Sequence, residues 1–318
     1  MREKLGDTMN FSINFKRLLV GICSVALLYL GNILYFQTQQ LDGPFFLKHY
    51  YDVKVNENGM TRIELYYVTN KQEQILNVFI PGMDFTRVSY DGVYQDFPHY
   101  QIKKAVVEVD RMNKEEVLTH TKLDVQFAHA GLIEYEIGEI IFRLSITTDT
   151  ETESPVRFLA AGSSSDYTGY SLFEMVEPVQ LVEIDFPFHH ALKDELHIFV
   201  DFDNDDINGF KEKLQSSELD EEMEEFVRKH MWNVQGIELN NLPLPIAFEK
   251  NDSVKVNSAF MFDETSLQKH SVYEFSIRLL FETEDGMKTV VRSHLNYQPY
   301  FSNRDIRELA KRVGEPGE

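Results

Sequence analysis

The stretch VYEFSIRLLFETEDGMKTVVRSHL, residues 272–295, contains two alternating apolar and polar runs that are separated by Asp285-Gly286. Successive side chains of a strand point to opposite faces of a sheet, so this alternation is typical of a strand with one buried face. An Asp-Gly pair between two such runs favours a tight turn, because glycine adopts positive φ without steric cost. The stretch therefore predicts an antiparallel hairpin that joins 272–282 to 287–295.

The same signature occurs twice nearer the N-terminus, at Asn58-Gly59 and at Asp91-Gly92, so we expect two more hairpins there. Seven further runs read as strands: Ile75–Ile80, Ile102–Val109, Lys122–Phe127, Ile137–Ile146, Val179–Phe186, Leu196–Phe202 and Val254–Phe262. Closely spaced strands with few helices between them predict a mainly β fold, built as one or two antiparallel β-sandwich (Ig-like) units.

Two segments have helical spacing instead. An apolar stripe between residues 206 and 233 predicts a short helical insertion. Ser302 and Asp305 form a capping pattern ahead of a second apolar face, which predicts a short C-terminal helix within 302–318.

Polar and Gly/Ser-rich stretches at 147–154 and 162–166 favour a domain boundary. We place unit 1 at 42–160 and unit 2 at 175–301, with one large sandwich as the alternative.

Residues 18–36, LLVGICSVALLYLGNILYF, contain no charged side chain. As a helix they would be about 28 Å long, close to the thickness of a bilayer's hydrocarbon core. Lys16 and Arg17 precede the run, and Asp42 is the first charge after it. The positive-inside rule then predicts a cytoplasmic N-terminus at 1–17, a single-pass signal anchor at 18–36 and an extracytoplasmic remainder. No small-residue cleavage site follows the run, which favours an uncleaved anchor.

The chain has 31 Lys+Arg against 52 Asp+Glu, a net charge of −21. Residues 1–36 carry a net +2, which leaves −23 for the predicted ectodomain. This balance argues against nucleic acid as a partner, because phosphate contacts require clustered Lys and Arg. Cys23, the only cysteine, lies inside the apolar run, so the exported part cannot form disulfides. An ectodomain of this kind is typical of a bacterial cell surface.

The acidic stretch 201–212 matches part of a calcium loop. Carboxylates stand at loop positions 1, 3, 5 and 12, supplied by Asp201, Asp203, Asp205 and Glu212. Asp206 occupies position 6, where an EF-hand requires glycine, and a solvated acidic turn is the alternative interpretation. The set is a candidate Ca²⁺ site.

Catalytic and zinc motifs are absent from the sequence. There is no H-E-x-x-H, no C-x-x-C and no G-x-S-x-G. Several histidines and acids could bind zinc only if the fold brings them together. They are His99, His189, His190 and His197, with Asp96 and Asp185. Two aromatic clusters, 97–100 and 297–301, are candidates for stacking on sugar rings or filling a partner's pocket, with burial in the core as the alternative.

We therefore expect a non-catalytic, membrane-anchored binding or scaffold protein that is an accessory component of a bacterial cell-envelope complex. Its expected partners are the membrane, through residues 18–36, other envelope proteins and a divalent cation. Two alternatives stay open: a calcium-dependent adhesin or ligand-binding module, and an envelope hydrolase with a dispersed site.

Overall fold

The computed structural model describes residues 15–56, 60–70, 72–112, 117–145, 154–164, 167–202, 234–263 and 265–314. Residues 1–14 of the predicted cytoplasmic segment and the helical insertion predicted near 206–233 lie outside the described residues. The helices and strands are, in chain order, α1 Phe15–Thr38, β1 Phe45–Phe46, β2 His49–Asn56, β3 Thr61–Thr69, β4 Ile75–Phe79, β5 Met83–Asp96, β6 Gln101–Met112, β7 Val117–Phe127, β8 Gly131–Ser145, β9 Val156–Ser163, β10 Thr168–Met175, β11 Val179–Asp185, α2 His189–Leu192, β12 Leu196–Phe202, β13 Ile237–Glu238, β14 Ile246–Phe248, β15 Ser253–Phe260, β16 Val272–Thr283, β17 Lys288–Tyr297 and α3 Asn303–Gly314. Leu239–Asn241 and Gln268–His270 form short 3₁₀ helices.

Three sheets form two sandwiches that share one sheet. The shared sheet has the order β14-β11-β16-β2-β8-β7-β4, with β17 also paired to β16. Its β2, β8, β7 and β4 face a sheet of order β1-β3-β6-β5, and its β11, β16 and β17 face a sheet of order β13-β12-β15-β10-β9. The predicted fold class, mainly β with an N-terminal apolar helix and sandwich packing, is confirmed.

Each sandwich encloses its own hydrophobic core. The first core is rich in aromatic rings, among them Tyr66, Tyr67 and Phe127. The second contains Tyr273 and Phe281 from β16, Val156 from β9, and Phe173 and Met175 from β10. Burying one such ring stabilises a fold by about 1.5–3 kcal/mol, so packing in the two cores makes a large contribution to holding the sheets together. The domain bounds 42–160 and 175–301 stay predictions.

The hairpin at Asp285-Gly286 is confirmed. β16 and β17 pair antiparallel from Tyr273–Tyr297 to Glu282–Lys288, and Gly286 has φ +77°. The backbone N–H of Thr283 donates to the carbonyl of Met287 at 3.0 Å, which closes the turn.

The hairpin predicted at Asn58-Gly59 is wrong. β2 joins the shared sheet and β3 pairs with β6 in the four-stranded sheet, so the chain crosses between layers there. Asn58-Gly59 itself lies outside the described residues.

The hairpin predicted at Asp91-Gly92 is also wrong, because both residues lie inside the continuous strand β5. Gly92 has no positive φ, and a Cβ there would meet the Tyr90 hydroxyl at 2.0 Å. The Asp91 carboxylate accepts hydrogen bonds from the Tyr67 hydroxyl and from the N–H of Ile75, both at 2.9 Å. Gly92 therefore leaves room for the Tyr90 side chain, and Asp91 links β5 to its neighbours. Neither residue turns the chain.

β2 makes two parallel pairings, with β8 and with β16, and these depart from the antiparallel prediction. His49 at its start is buried and lies in register with Gly138 of β8. The His49 Nε2 accepts a hydrogen bond from the N–H of Tyr66, 2.8 Å away in the facing sheet. One residue thus ties both layers of the first sandwich at the place where the two sandwiches join.

The two longer helices differ in environment. Within Leu18–Thr38, α1 contains an 18-residue window with a mean hydropathy of 2.0, and no residue of that window is buried, so α1 is long and apolar enough for a membrane span or signal anchor. α3 packs Ile306 and Ala310 against the first core. The Ser302 hydroxyl donates to Asp305 Oδ2 at 2.6 Å and accepts from the Asp305 N–H at 3.3 Å, so the predicted cap is confirmed.

Candidate functional site

The feature that best fits a binding site is an open cavity of about 400 Å³ at the end of the second sandwich, which we call the aromatic cleft. It lies where β15 and β17 end and α3 begins. Its lining residues are Tyr167, Phe260, Met261, Phe262, Lys269, His270, Tyr297, Tyr300 and Asp305. Ligand sites are typically concave and apolar with a few polar groups, and this lining has that composition.

The floor of the aromatic cleft is a cluster of packed rings. Phe260 and Phe262 are stacked with centroids 5.5 Å apart, and Phe262 lies 4.9 Å from Tyr297. The Tyr167 ring lies 4.5 Å from the Tyr297 ring. The Tyr297 hydroxyl donates to the carbonyl of Lys269 at 2.7 Å, which fixes its orientation. The floor is therefore rigid before any ligand arrives.

Tyr167 has a backbone conformation that residues other than glycine rarely adopt, with φ +66°. It directly precedes β10, and its carbonyl accepts a hydrogen bond from the N–H of Phe260 at 3.1 Å. A non-glycine residue in the left-handed region costs of order 1 kcal/mol, so the surrounding contacts hold it there. This conformation places the Tyr167 ring against Tyr297 instead of in the strand.

Polar groups surround the rings on the side of α3. Burial raises the pKa of Asp305, but hydrogen bonds from Ser302 outweigh it and leave the pKa below its usual value. Burial and the neighbouring charge of Lys269 lower the pKa of His270, against the opposing effect of Asp305. At neutral pH the aromatic cleft thus presents an ammonium, a carboxylate and a neutral imidazole beside the rings.

His270 is held by stacking on Phe301, with ring centroids 5.2 Å apart. Both of its ring nitrogens are buried, and neither has a hydrogen-bond partner in the structure. Buried polar atoms of this kind are uncommon and often mark a place for water or a ligand.

Tyr300 is the most exposed ring of the aromatic cleft, with 77% of its surface accessible. Met261, on the same rim, is 52% exposed. Exposed large apolar side chains gathered around one cavity are typical of interaction sites. The Gln95 side chain on β5 donates to the carbonyl of Phe301 at 3.3 Å and accepts from its N–H at 3.1 Å, so the first sandwich also borders this rim.

The two aromatic clusters noted in the sequence therefore have different roles. In the stretch 97–100, Phe97 and Tyr100 are buried in the first core. In the stretch 297–301, Tyr297 forms the floor of the aromatic cleft and Tyr300 stands on its rim.

No protein-family model and no curated protein matches this sequence. Among solved structures, the chain is similar to a protein of unknown function from Porphyromonas gingivalis W83, at 8% identity and a TM-score of 0.23, covering 81% of this chain and 99% of that one. It is also similar to the titin domains Z1Z2 in complex with telethonin, at 10% identity and a TM-score of 0.21, covering 82% and 100%. A third is the Enterococcus faecalis MSCRAMM ACE, described as binding its ligands by the collagen Hug model, at 8% identity and a TM-score of 0.21, covering 82% and 96%. At these TM-scores the assignment of sandwiches rests on the sheets and cores of this chain.

A second cavity, of about 450 Å³, opens between α2 and β13 at the edge of the second sandwich. It brings Glu238 close to His189, His190 and Asp194, which are near one another in the sequence. His190 Nε2 lies 3.2 Å from Glu139 Oε2. No serine, threonine or cysteine is among the described residues that line it, so this part of the chain offers no hydroxyl or thiol nucleophile beside the histidines. The hydrolase alternative stays a prediction.

Asp201 lies at the end of β12, directly opposite Lys255 of β15. Residues directly opposite in an antiparallel pair have Cβ atoms about 5 Å apart, so the buried Lys255 brings a positive charge close to Asp201. Asp203, Asp205 and Glu212 lie outside the described residues. No group of three His, Cys, Asp or Glu in the described part of the chain is arranged to hold a metal. The predicted calcium site stays a prediction.

Proposed function

We propose that this chain is a membrane-anchored, extracytoplasmic, non-catalytic binding protein, and that the aromatic cleft binds its ligand through sugar rings. The observation that carries the proposal is the 77% exposed ring of Tyr300 on the rim of a cavity whose floor is formed by buried rings. As a finer placement, we infer an accessory role in a bacterial cell-envelope complex.

The anchor is supported by α1 and its flanks. Its apolar surface is unburied, Lys16 and Arg17 precede it, and the chain after it is strongly acidic. The positive-inside rule then favours a cytoplasmic N-terminus and an exported C-terminal part. Exposed leucines and isoleucines on a helix this long are stable in hydrocarbon and unfavourable in water.

The chemistry of the aromatic cleft favours a saccharide. A sugar ring has an apolar face of C–H groups and a polar edge of hydroxyls. The rings of Tyr300 and Phe262 can pack against the apolar face of the sugar. The side chains of Lys269, His270 and Asp305 supply donors and acceptors for its hydroxyls. Neutral sugars also avoid the repulsion that a polyanion would meet from a chain of net charge −21.

We expect Tyr300→Ala to weaken saccharide binding by about tenfold, the loss typical of removing an exposed aromatic anchor from a binding site. The measurement is calorimetry of the full-length protein in detergent against cello-, chito- and malto-oligosaccharides. Tyr300 has little contact with the cores, so the thermal unfolding midpoint should stay unchanged.

The matched control is Tyr90→Ala, which removes a 52% exposed tyrosine from β5 outside the aromatic cleft. This variant should bind like the unmodified protein. Absence of heat with every oligosaccharide, or equal losses in both variants, would exclude saccharide binding at the aromatic cleft.

A further inference from the structure

The last turns of α3 lie beside the end of α1. Thr38 and Gln40, where the apolar helix ends, line a cavity of about 490 Å³ together with Ala310 and Lys311 of α3. Tyr100 lines the same cavity. The C-terminal half of α3 is therefore at the base of the ectodomain, at the level where the chain leaves α1.

A second set of contacts agrees with this placement. The His99 ring lies 5.6 Å from Phe36 and 6.1 Å from Tyr35 at the end of α1. Burial raises the pKa of Tyr100, while the positive charge of Arg307 counteracts the rise and the Tyr35 hydroxyl adds to it. Arg307 lies one helical turn before Lys311, which lines the cavity with Tyr100, so the two cations are on the same side of α3.

The two cations on this flank are exposed. Arg307 and Lys311 are one helical turn apart, and neither forms an ion pair with any residue that the structure describes. The other flank of the exposed face lines a different cavity with Arg304, Glu308 and Arg312, and there Arg304 is paired with Glu308 at 2.9 Å. Asp42 is the one acid among the described residues that line the cavity beside Lys311. A pair of uncompensated cations is unexpected on an ectodomain whose charge is strongly negative.

We propose that Arg307 and Lys311 bind the anionic headgroups of the membrane that α1 enters and thereby hold the ectodomain base on the bilayer surface. This rests on the proposed membrane anchor. The apolar face of α3 is already occupied, since Ile306 and Ala310 are buried in the first core. α3 therefore cannot insert into the bilayer as a free amphipathic helix would, and the attraction is electrostatic.

The test uses the full-length protein in nanodiscs of phosphatidylcholine alone or mixed with phosphatidylglycerol. Hydrogen–deuterium exchange of residues 303–314 is the readout. We expect exchange to slow by about fivefold in the anionic discs, because each Lys or Arg near such a surface is attracted to it. High salt should abolish the effect, because it shortens the range of the attraction.

The double variant Arg307→Gln, Lys311→Gln should exchange equally fast in both kinds of disc. Its matched control, the double variant Arg304→Gln, Arg312→Gln, removes the same charge from the other flank. Residues 303–314 of this control should still exchange more slowly in the anionic discs. Equal exchange of the unmodified protein in both discs, or slowing that survives in the first double variant, overturns the proposal. So does equal slowing by inorganic phosphate in phosphatidylcholine discs, which would indicate a free-phosphate site.

The proposed anchor has a separate readout. If α1 does not span the membrane, the protein will fail to enter nanodiscs of either composition and will be released from membranes by carbonate. If the protein enters the discs but the exchange of α3 is the same in both kinds of disc, the membrane anchor is supported and the contact of Arg307 and Lys311 with headgroups is excluded.

Discussion

Replacing Gly138 with alanine is expected to lower the free energy of unfolding by about 3–4 kcal/mol, because two costs combine at this position. Gly138 has φ +96°, where a side chain is strained. A Cβ there would also lie 2.4 Å from the carbonyl oxygen and 2.7 Å from the nitrogen of His49. Both atoms belong to the backbone of β2, which is held between β8 and β16 and cannot move aside cheaply.

Gly131→Ala is the matched control for Gly138→Ala. Gly131, the first residue of β8, has a similar φ of +83°, but a Cβ there would meet nothing within 4 Å. Gly131→Ala should therefore lower the free energy of unfolding only by the conformational cost, about 1–2 kcal/mol. Thermal unfolding of both variants by circular dichroism in detergent measures the difference. Equal shifts in the two midpoints would contradict a close approach of β2 to β8.

The strands could largely be predicted from alternation, whereas their partners could not. All seven runs predicted as strands correspond to strands, yet an Asp-Gly or Asn-Gly pair marked a hairpin correctly only at Asp285-Gly286. At Asp91-Gly92 the strand continues because both residues pair with β6, and no local pattern reports that pairing. The parallel pairing of β2 likewise depends on residues far apart in sequence.

The aromatic cleft could be predicted in part. The aromatic density of the stretch 297–301 made it a candidate binding segment, and Tyr297 and Tyr300 supply part of the floor and the exposed rim of the cavity. Tyr167 and Phe262 gave no such signal, since Phe262 ends a predicted strand and Tyr167 follows a Gly/Ser-rich stretch. They reach the cavity because β10 and β15 are paired next to the end of β17. Exposure also separates Tyr300 from the buried Tyr100, and composition alone does not contain that information.

Lowering the pH from 6.5 to 4.5 is expected to cost about 2 kcal/mol of unfolding free energy through His49 alone. Burial lowers the pKa of His49 to about 3, opposed by the backbone carbonyls of Ile137 and Leu47. The native state therefore keeps His49 neutral over this range, while the unfolded chain takes up the proton below about pH 6.5. Because the unfolded state binds more protons, stability falls as the pH falls, and it keeps falling until the native His49 protonates near pH 3.

Burial is the main physical cause, and the hydrogen bond between the two layers of the first sandwich adds to it. His49 Nε2 accepts the N–H of Tyr66, so a proton on that nitrogen would both break the bond and leave a buried charge. His120 and His270 also have lowered pKa values, with burial the largest cause for each, and they add to the acid sensitivity with the same sign.

His49→Gln isolates this contribution. Glutamine can still accept a hydrogen bond but does not titrate, so the variant should be less stable near neutral pH while losing the steep dependence between pH 6.5 and 4.5. Urea unfolding at several pH values gives both quantities. His129→Gln, which changes an exposed histidine at the tip of the β7–β8 hairpin, should leave the slope intact. If His49→Gln retains the slope of the unmodified protein, His49 is not the group whose protonation destabilises the fold.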